Sequence, residues 1–279
     1  MTDGDLSGGT AIAIAPQTLL WAVDQMVEAL GTETLKKLKV SAGEHLAALL
    51  ATAFLLTPPT DIDTQGGPDL WFDLSRKPDD GMKRAPILPD GTASAAFEIK
   101  SMPGPFRKWE SAIDRDRARG IDAKGRSLET TVQAASDVLR EAGPALRRAR
   151  DQLQHKTNED TSRNIFLVIH LFDYFVAESM HPILGPLLHP LPDIEGVDTV
   201  WVLWPLEHLT VWSAKQHSWT DLLFNTGGDP EAEPIPDHDD LDVLQDAENY
   251  YLASVDHTGG SPYLFRITAD GNTIEDAWE

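Results

Sequence analysis

Apolar residues recur at helical spacing in QTLLWAVDQMVEALG (residues 17–31), and Gly31 supplies a stop signal. A second run of the same period starts near residue 34 and continues through KLKVSAGEHLAALLATAFLL, where Pro58 and Pro59 end it. A linker rich in Gly and Asp then leads to Gly67. There the period changes to two. In DLWFDLS, Leu70, Phe72 and Leu74 alternate with Asp69, Trp71 and Asp73. In TASAAFEIKSM, Phe97 and Ile99 alternate with Glu98 and Lys100. Two adjacent strands pair antiparallel most simply, so these form one hairpin across a long polar connection.

The mixed, charged residues 103–126 read partly as loop. A long helix follows over residues 127–156, which Gly143 and Pro144 should kink or split. RNIFLVIHLFDYF is apolar without alternation, as expected of a strand buried on both faces. VDTVWVLWP and LTVWSA read as further strands, and SPYLFRITADG as a late edge strand. This order predicts an α/β fold, with a mixed central β-sheet flanked by helices. Residues 1–16 read as a flexible leader and 17–226 as the α/β domain. Residues 227–279 read as an acidic extension, packed on the same domain or separate.

Composition changes this picture in two places. The chain has 279 residues and no cysteine, which removes disulfides and thiolate metal sites. No cationic leader with an apolar stretch is visible, and the longest uncharged apolar run, HLAALLATAFLL, is too short to span a bilayer. A cytoplasmic location without membrane partners is the expectation. The formal charge of −22 opposes nucleic-acid binding at first sight. That average hides a division. Residues 76–150 hold 16 Lys plus Arg and 11 Asp plus Glu, leaving 7 basic and 34 acidic residues elsewhere. Residues 227–279 alone carry 14 acids and one base.

The candidate chemistry sits in the hairpin. Glu98 and Lys100 are two apart on a strand, so they point to the same face, opposite the apolar one. A carboxylate and an ammonium there are costly to desolvate unless they pair or bind something. In an antiparallel hairpin the start of the first strand lies beside the end of the second. That places Asp69 near Lys100, while Asp73 falls toward Ala95 and Ala96. Two carboxylates and a lysine suit a hard divalent cation and an attacking water. The competing reading is an edge strand with a surface ion pair, and a turn role for Asp69 after Gly66, Gly67 and Pro68.

At these residues the chain resembles the PD-(D/E)xK nuclease superfamily. Pro68 and Asp69 match its "PD", and Glu98, Ile99 and Lys100 its "ExK", with Ser101 completing the EIKS ending. The resemblance implies a restriction-endonuclease-like core, with N-terminal helices and a C-terminal acidic extension. It implies a nuclease that uses Mg²⁺, or Mn²⁺, held by Asp69 and Glu98, with Lys100 assisting the water. Glu44 matches the acid often supplied by the preceding helix, and Gln133 the glutamine sometimes carried by the following one. Asp73 is the alternative to Asp69. Arg107, Lys108, Arg115, Arg117, Arg119, Lys124 and Arg126 are the expected substrate-binding residues.

The function implied is a metal-dependent phosphodiester hydrolase of nucleic acid, DNA first, in restriction, repair or phage defence. Two alternatives from other classes stay open. One is a nuclease-fold protein used for binding, either inactive or a component of a larger defence complex; a homodimer is instead what double-strand cleavage would favour. The other is an acidic DNA mimic that inhibits another protein. Net charge favours the mimic, whereas the acid–acid–lysine set and the basic segment count against it.

Overall fold

A computed structural model of the chain describes residues 10–38, 43–62, 66–76, 78, 84, 86–102, 115, 118–120, 132–169, 175–180, 183–192, 194–204, 208–224, 266–267 and 274–275. Strand β1 (Thr10–Ile14) leads into helix α1 (Pro16–Leu30), the single turn α2 (Thr32–Leu35) and helix α3 (Glu44–Leu55). Three strands follow: β2 (Asp61–Ile62), β3 (Leu70–Asp73) and β4 (Ser94–Met102). The two-residue β5 (Val132–Gln133) precedes helix α4 (Ala135–Lys156), and β6 (Ser162–Ile169) comes next. The two-residue β7 (Phe175–Val176) pairs with β5 apart from the main sheet. Strands β8 (Thr199–Trp204), β9 (His208–Ser213) and β10 (Ser218–Phe224) complete that sheet.

The main sheet has eight strands in the order β1-β10-β9-β8-β6-β4-β3-β2. Strands β2, β3 and β4 form an antiparallel meander, and β6 lies parallel beside β4 after the α4 crossover. Strand β8 is parallel to β6, β9 and β10 turn back antiparallel, and β1 closes the far edge parallel to β10. Helices α1 and α3 share one apolar core with Phe97, Phe166, Val168 and Trp201. Helix α4 covers the other face, with Ile165, Leu167, Ile169 and Val202. This three-layer sandwich explains the unbroken apolar run of β6: both of its faces are covered. Trp201 lies at the centre, edge-on to Phe97 with ring centroids 5.5 Å apart. Its indole N–H donates to Thr199 Oγ1 at 2.9 Å. Asn164, also fully buried, donates to the carbonyls of Ala96 and Ser162 and accepts from Thr199. These bonds tie β4, β6 and β8 into one register, because an unmatched buried amide would be costly.

Several expectations change. The leader expected over residues 1–16 is not wholly a leader, since TAIAI forms the edge strand β1. The second helix is not continuous from residue 34. It yields α2 and then α3, which starts after Gly43 in the left-handed region at φ 72°. A Cβ at Gly43 would meet Val168 Cγ1 at 2.8 Å, so this glycine lets the start of α3 press onto β6. Helix α4 begins at Ala135 rather than residue 127 and runs through Pro144 without a break. Its buried stripe of Val138, Leu139, Ala142, Ala145, Leu146, Ala149 and Leu153 continues on both sides of the proline, which sits on the exposed face. The linker before residue 67 contains β2, and the unexpected β10 lies in the main sheet between β9 and the edge strand β1. The strand expected near the C-terminus is β11 (Arg266–Ile267), which pairs with β12 (Ile274–Glu275) and not with the main sheet. Among the described residues no helix is long and apolar enough to cross a membrane.

One further contact holds the α4 side. Asp221 on β10 is buried, and its carboxylate accepts from the backbone N–H groups of Leu184 and Gly185 at 2.8–3.0 Å. The short 3₁₀ turn at Gly185–Leu187 is thereby pinned to the sheet.

Candidate active site

The β3–β4 pairing sets Leu70 opposite Phe97 and Trp71 opposite Ala96. Extending that register by one residue sets Asp69 opposite Glu98, not Lys100. The correction matters chemically, because the two carboxylates become direct neighbours. Asp69 precedes β3 after Gly66, Gly67 and Pro68, and its Oδ2 accepts the backbone N–H of Ile99 at 2.5 Å. The acid is therefore fixed to the backbone between Glu98 and Lys100.

Glu98 is only 1% exposed. Phe97 and Ile99 point into the α1/α3 core, so Glu98 and Lys100 must face the α4 side. There Lys100 Nζ lies 2.8 Å from Glu98 Oε1, and Lys156 Nζ lies 3.0 Å from Oε2. A buried carboxylate persists only when its lone pairs are met, and here two ammonium groups meet them. The lysines are less enclosed, with side chains 22% and 16% exposed. The cluster thus opens toward solvent on its cationic side.

Burial pushes the Asp69 carboxyl up to about 6, and the charge of Glu98 adds to the rise. The Ile99 N–H and the Lys100 ammonium oppose it, and Glu44 adds a weaker upward push. Near neutrality Asp69 and Glu98 form two convergent acids, one of them poised to lose its proton. Glu44 is the first residue of α3 and half-buried, so the Gly43–Val168 contact sets its position as well. Next to it, burial pulls the His45 imidazole down to about 4, although its Nε2 bonds the Leu38 carbonyl at 3.0 Å.

Comparison with protein-family models, with curated proteins and with solved structures returns no match.

Asp73 stands apart from the cluster. It lies opposite Ser94, beyond the Ala95 and Ala96 region expected for it, and binds Ser75 N at 3.0 Å and Ser75 Oγ at 2.6 Å. Those bonds hold its carboxyl below the usual range. Gln133 is not a helix residue. It sits on β5, paired with Val176, two positions ahead of α4. Arg115 and Arg119 are exposed, while Arg107, Lys108, Arg117, Lys124 and Arg126 lie outside the described residues.

The residue missed by sequence reasoning is Lys156. In the sequence it is one basic residue among several on α4. The signal was its place in the last turn of a crossover helix. Such a helix returns the chain to the start of the next parallel strand, here β6, directly beside β4.

Asp69 and Glu98 are the residues that could hold a divalent cation, once it displaces a lysine from Glu98. Asp69 and Glu98 offer carboxylate oxygens only, and Mg²⁺ needs few protein ligands because it keeps several waters. Among the described residues no group of three acidic, His or Cys side chains is close enough to cage a metal.

Proposed function

We propose that the chain is a Mg²⁺- or Mn²⁺-dependent phosphodiester hydrolase acting on nucleic acid, with DNA as the first substrate to test. The observation that carries this reading is the convergence of Asp69, Glu98 and Lys100 on one hairpin. The hairpin is embedded in the element order α3-β2-β3-β4-α4-β6, with β6 parallel to β4. That order suits the restriction-endonuclease-like core, and supports the family resemblance beyond the motif itself.

In this reading Asp69 and Glu98 hold the cation. When bound, it would supply charge stabilisation at a phosphoryl oxygen and lower the pKa of a water. The protein contributes position. The β4 strand fixes Glu98 and Lys100 on one face, and the Ile99 N–H fixes Asp69 against them. Lys100, paired with Glu98 Oε1 at rest, orients the attacking water or steadies the charge on the phosphoryl group.

A second reading, a nuclease-fold binding component, draws on a specific feature: both oxygens of Glu98 are engaged by lysines. Cleavage of linear, circular and single-stranded DNA and of RNA, with Mg²⁺, with Mn²⁺ and with chelator, separates the two. Metal-dependent cleavage that is lost in Glu98→Gln supports the hydrolase. Metal-independent binding without cleavage supports the binding component.

A further inference from the structure

We propose that Lys156 is the resting counter-ion of Glu98 and becomes a substrate-phosphate contact once a divalent cation takes that carboxylate. The inference rests on the metal-dependent reading above and adds a residue to it. Three observations carry it.

The first is the source of the contact. Lys100 shares a strand with Glu98, but Lys156 reaches the same carboxylate from another element, at 3.0 Å from Oε2. The second is a long, partly exposed side chain on a fixed base. Leu153 and Ala149 are buried under α4, and Thr157 closes the helix with its N–H and hydroxyl on the Leu153 carbonyl at 3.0 and 2.7 Å. The long stem can carry the ammonium outward without moving the helix, as lysine stems do at partly buried sites.

The third observation is charge. Asp69 and Glu98 bear two negative charges when ionised, and Lys100 and Lys156 bear two positive ones, so the resting cluster is balanced. Glu44 is the weakest of the charges that reach Asp69. A divalent cation brings a surplus of two. It competes with the Lys156 ammonium for Glu98 Oε2 and drives that ammonium away. A phosphodiester and the hydroxide attacking it bring two negative charges, which restore the balance. The displaced ammonium, free in solvent when only metal is bound, gains a counter-anion when substrate is present, and it acts there as a positioning cation rather than as the water's partner.

The test uses the full chain with Lys156→Gln, Lys156→Met and Lys156→Arg, each checked for folding by circular dichroism. Calorimetric titration with Mn²⁺ alone should show roughly fivefold or greater tightening in the Gln and Met variants, since a competing cation is gone. Binding of a DNA duplex in Ca²⁺ over a series of NaCl concentrations should weaken in both. The slope of log affinity against log salt should shrink by about one, the signature of one lost phosphate contact. Lys156→Arg should keep that slope. A purely structural lysine would lower stability and move neither readout. Wild type also gives a reading without any variant: the ¹⁵N resonance of Lys156 Nζ should shift and its hydrogens exchange faster on adding Mg²⁺. Wild type that binds no Mn²⁺ overturns the metal-dependent reading, and this one with it. Mn²⁺ binding equal in wild type and variants, or an unmoved Nζ resonance, overturns only the role of Lys156. Tightened Mn²⁺ with an unchanged salt slope overturns the phosphate contact.

Discussion

Asp69→Asn should make the metal-free protein more stable at neutral pH. In the native state the carboxyl holds its proton up to about pH 6, against 3.8 for the free side chain. Below 3.8 both states are protonated and the group contributes nothing. As pH rises through that window, the unfolded chain ionises first and the native state falls behind. The full cost applies above the native value. Two pH units of displacement correspond to at most about 3 kcal/mol. Solvent around a half-buried group reduces this to about 1–2 kcal/mol. Asparagine retains an oxygen for the Ile99 N–H and carries no charge toward Glu98, so it mimics the protonated acid. Urea unfolding in chelator, at pH 4 and at pH 7.5, measures the difference. The variant should match wild type at pH 4 and exceed it at pH 7.5. Saturating Mg²⁺ should reverse the order, because only wild type gains from ligand binding. Equal destabilisation of the variant at both pH values would refute the electrostatic account, and with it the idea of two strained, convergent acids.

His45 titrates with the opposite sign: its native pKa of about 4 lies below 6.5, so stability falls as pH drops through that interval. It therefore offsets Asp69 in wild type. His45→Gln should gain stability between pH 6 and 4, and Asp69→Asn should lose it there, both read by urea midpoints. Lys100→Ala should bind DNA nearly as wild type does and cut it ~100- to 1,000-fold more slowly in single-turnover assays; undiminished cutting would place the site elsewhere. Gly185→Ala should cost about 2 kcal/mol or more, since a Cβ there would meet Asp221 Oδ2 at 2.6 Å; an unshifted melting temperature would contradict the pinned turn.

The hairpin was legible because its signal is local. Alternation named Leu70, Phe72, Phe97 and Ile99 as core, and so exposed Asp69, Glu98 and Lys100 as the residues with no apolar excuse. Register was not legible. Placing Asp69 beside Glu98 instead of Lys100 depends on where β3 and β4 stop, which the long connection conceals. Pro144 misled for a related reason. A proline breaks a helix locally, but the stripe from Val138 to Leu153 packs on the sheet and sustains the helix across it. Strands β1 and β10 are not legible locally because, among the described residues, β1 pairs only with β10, and β10 sits between β1 and β9. Lys156 needed the crossover geometry, which no single stretch of residues encodes.

The pairing of β1 with β10 has a consequence for biosynthesis. Thr10 pairs with Thr220, so the edge strand β1 waits through the synthesis of all the intervening residues before its neighbour exists. Until then TAIAI is an apolar, uncharged segment seeking a partner, in a chain whose other strands pair within closer range. A cell making this protein is thus exposed to a nascent-chain hazard at β1, and β10 presents an uncovered edge until β1 docks on it. A bulky tag fused immediately before residue 10 should aggravate both, yielding more aggregate during synthesis even where the purified fold is unaffected.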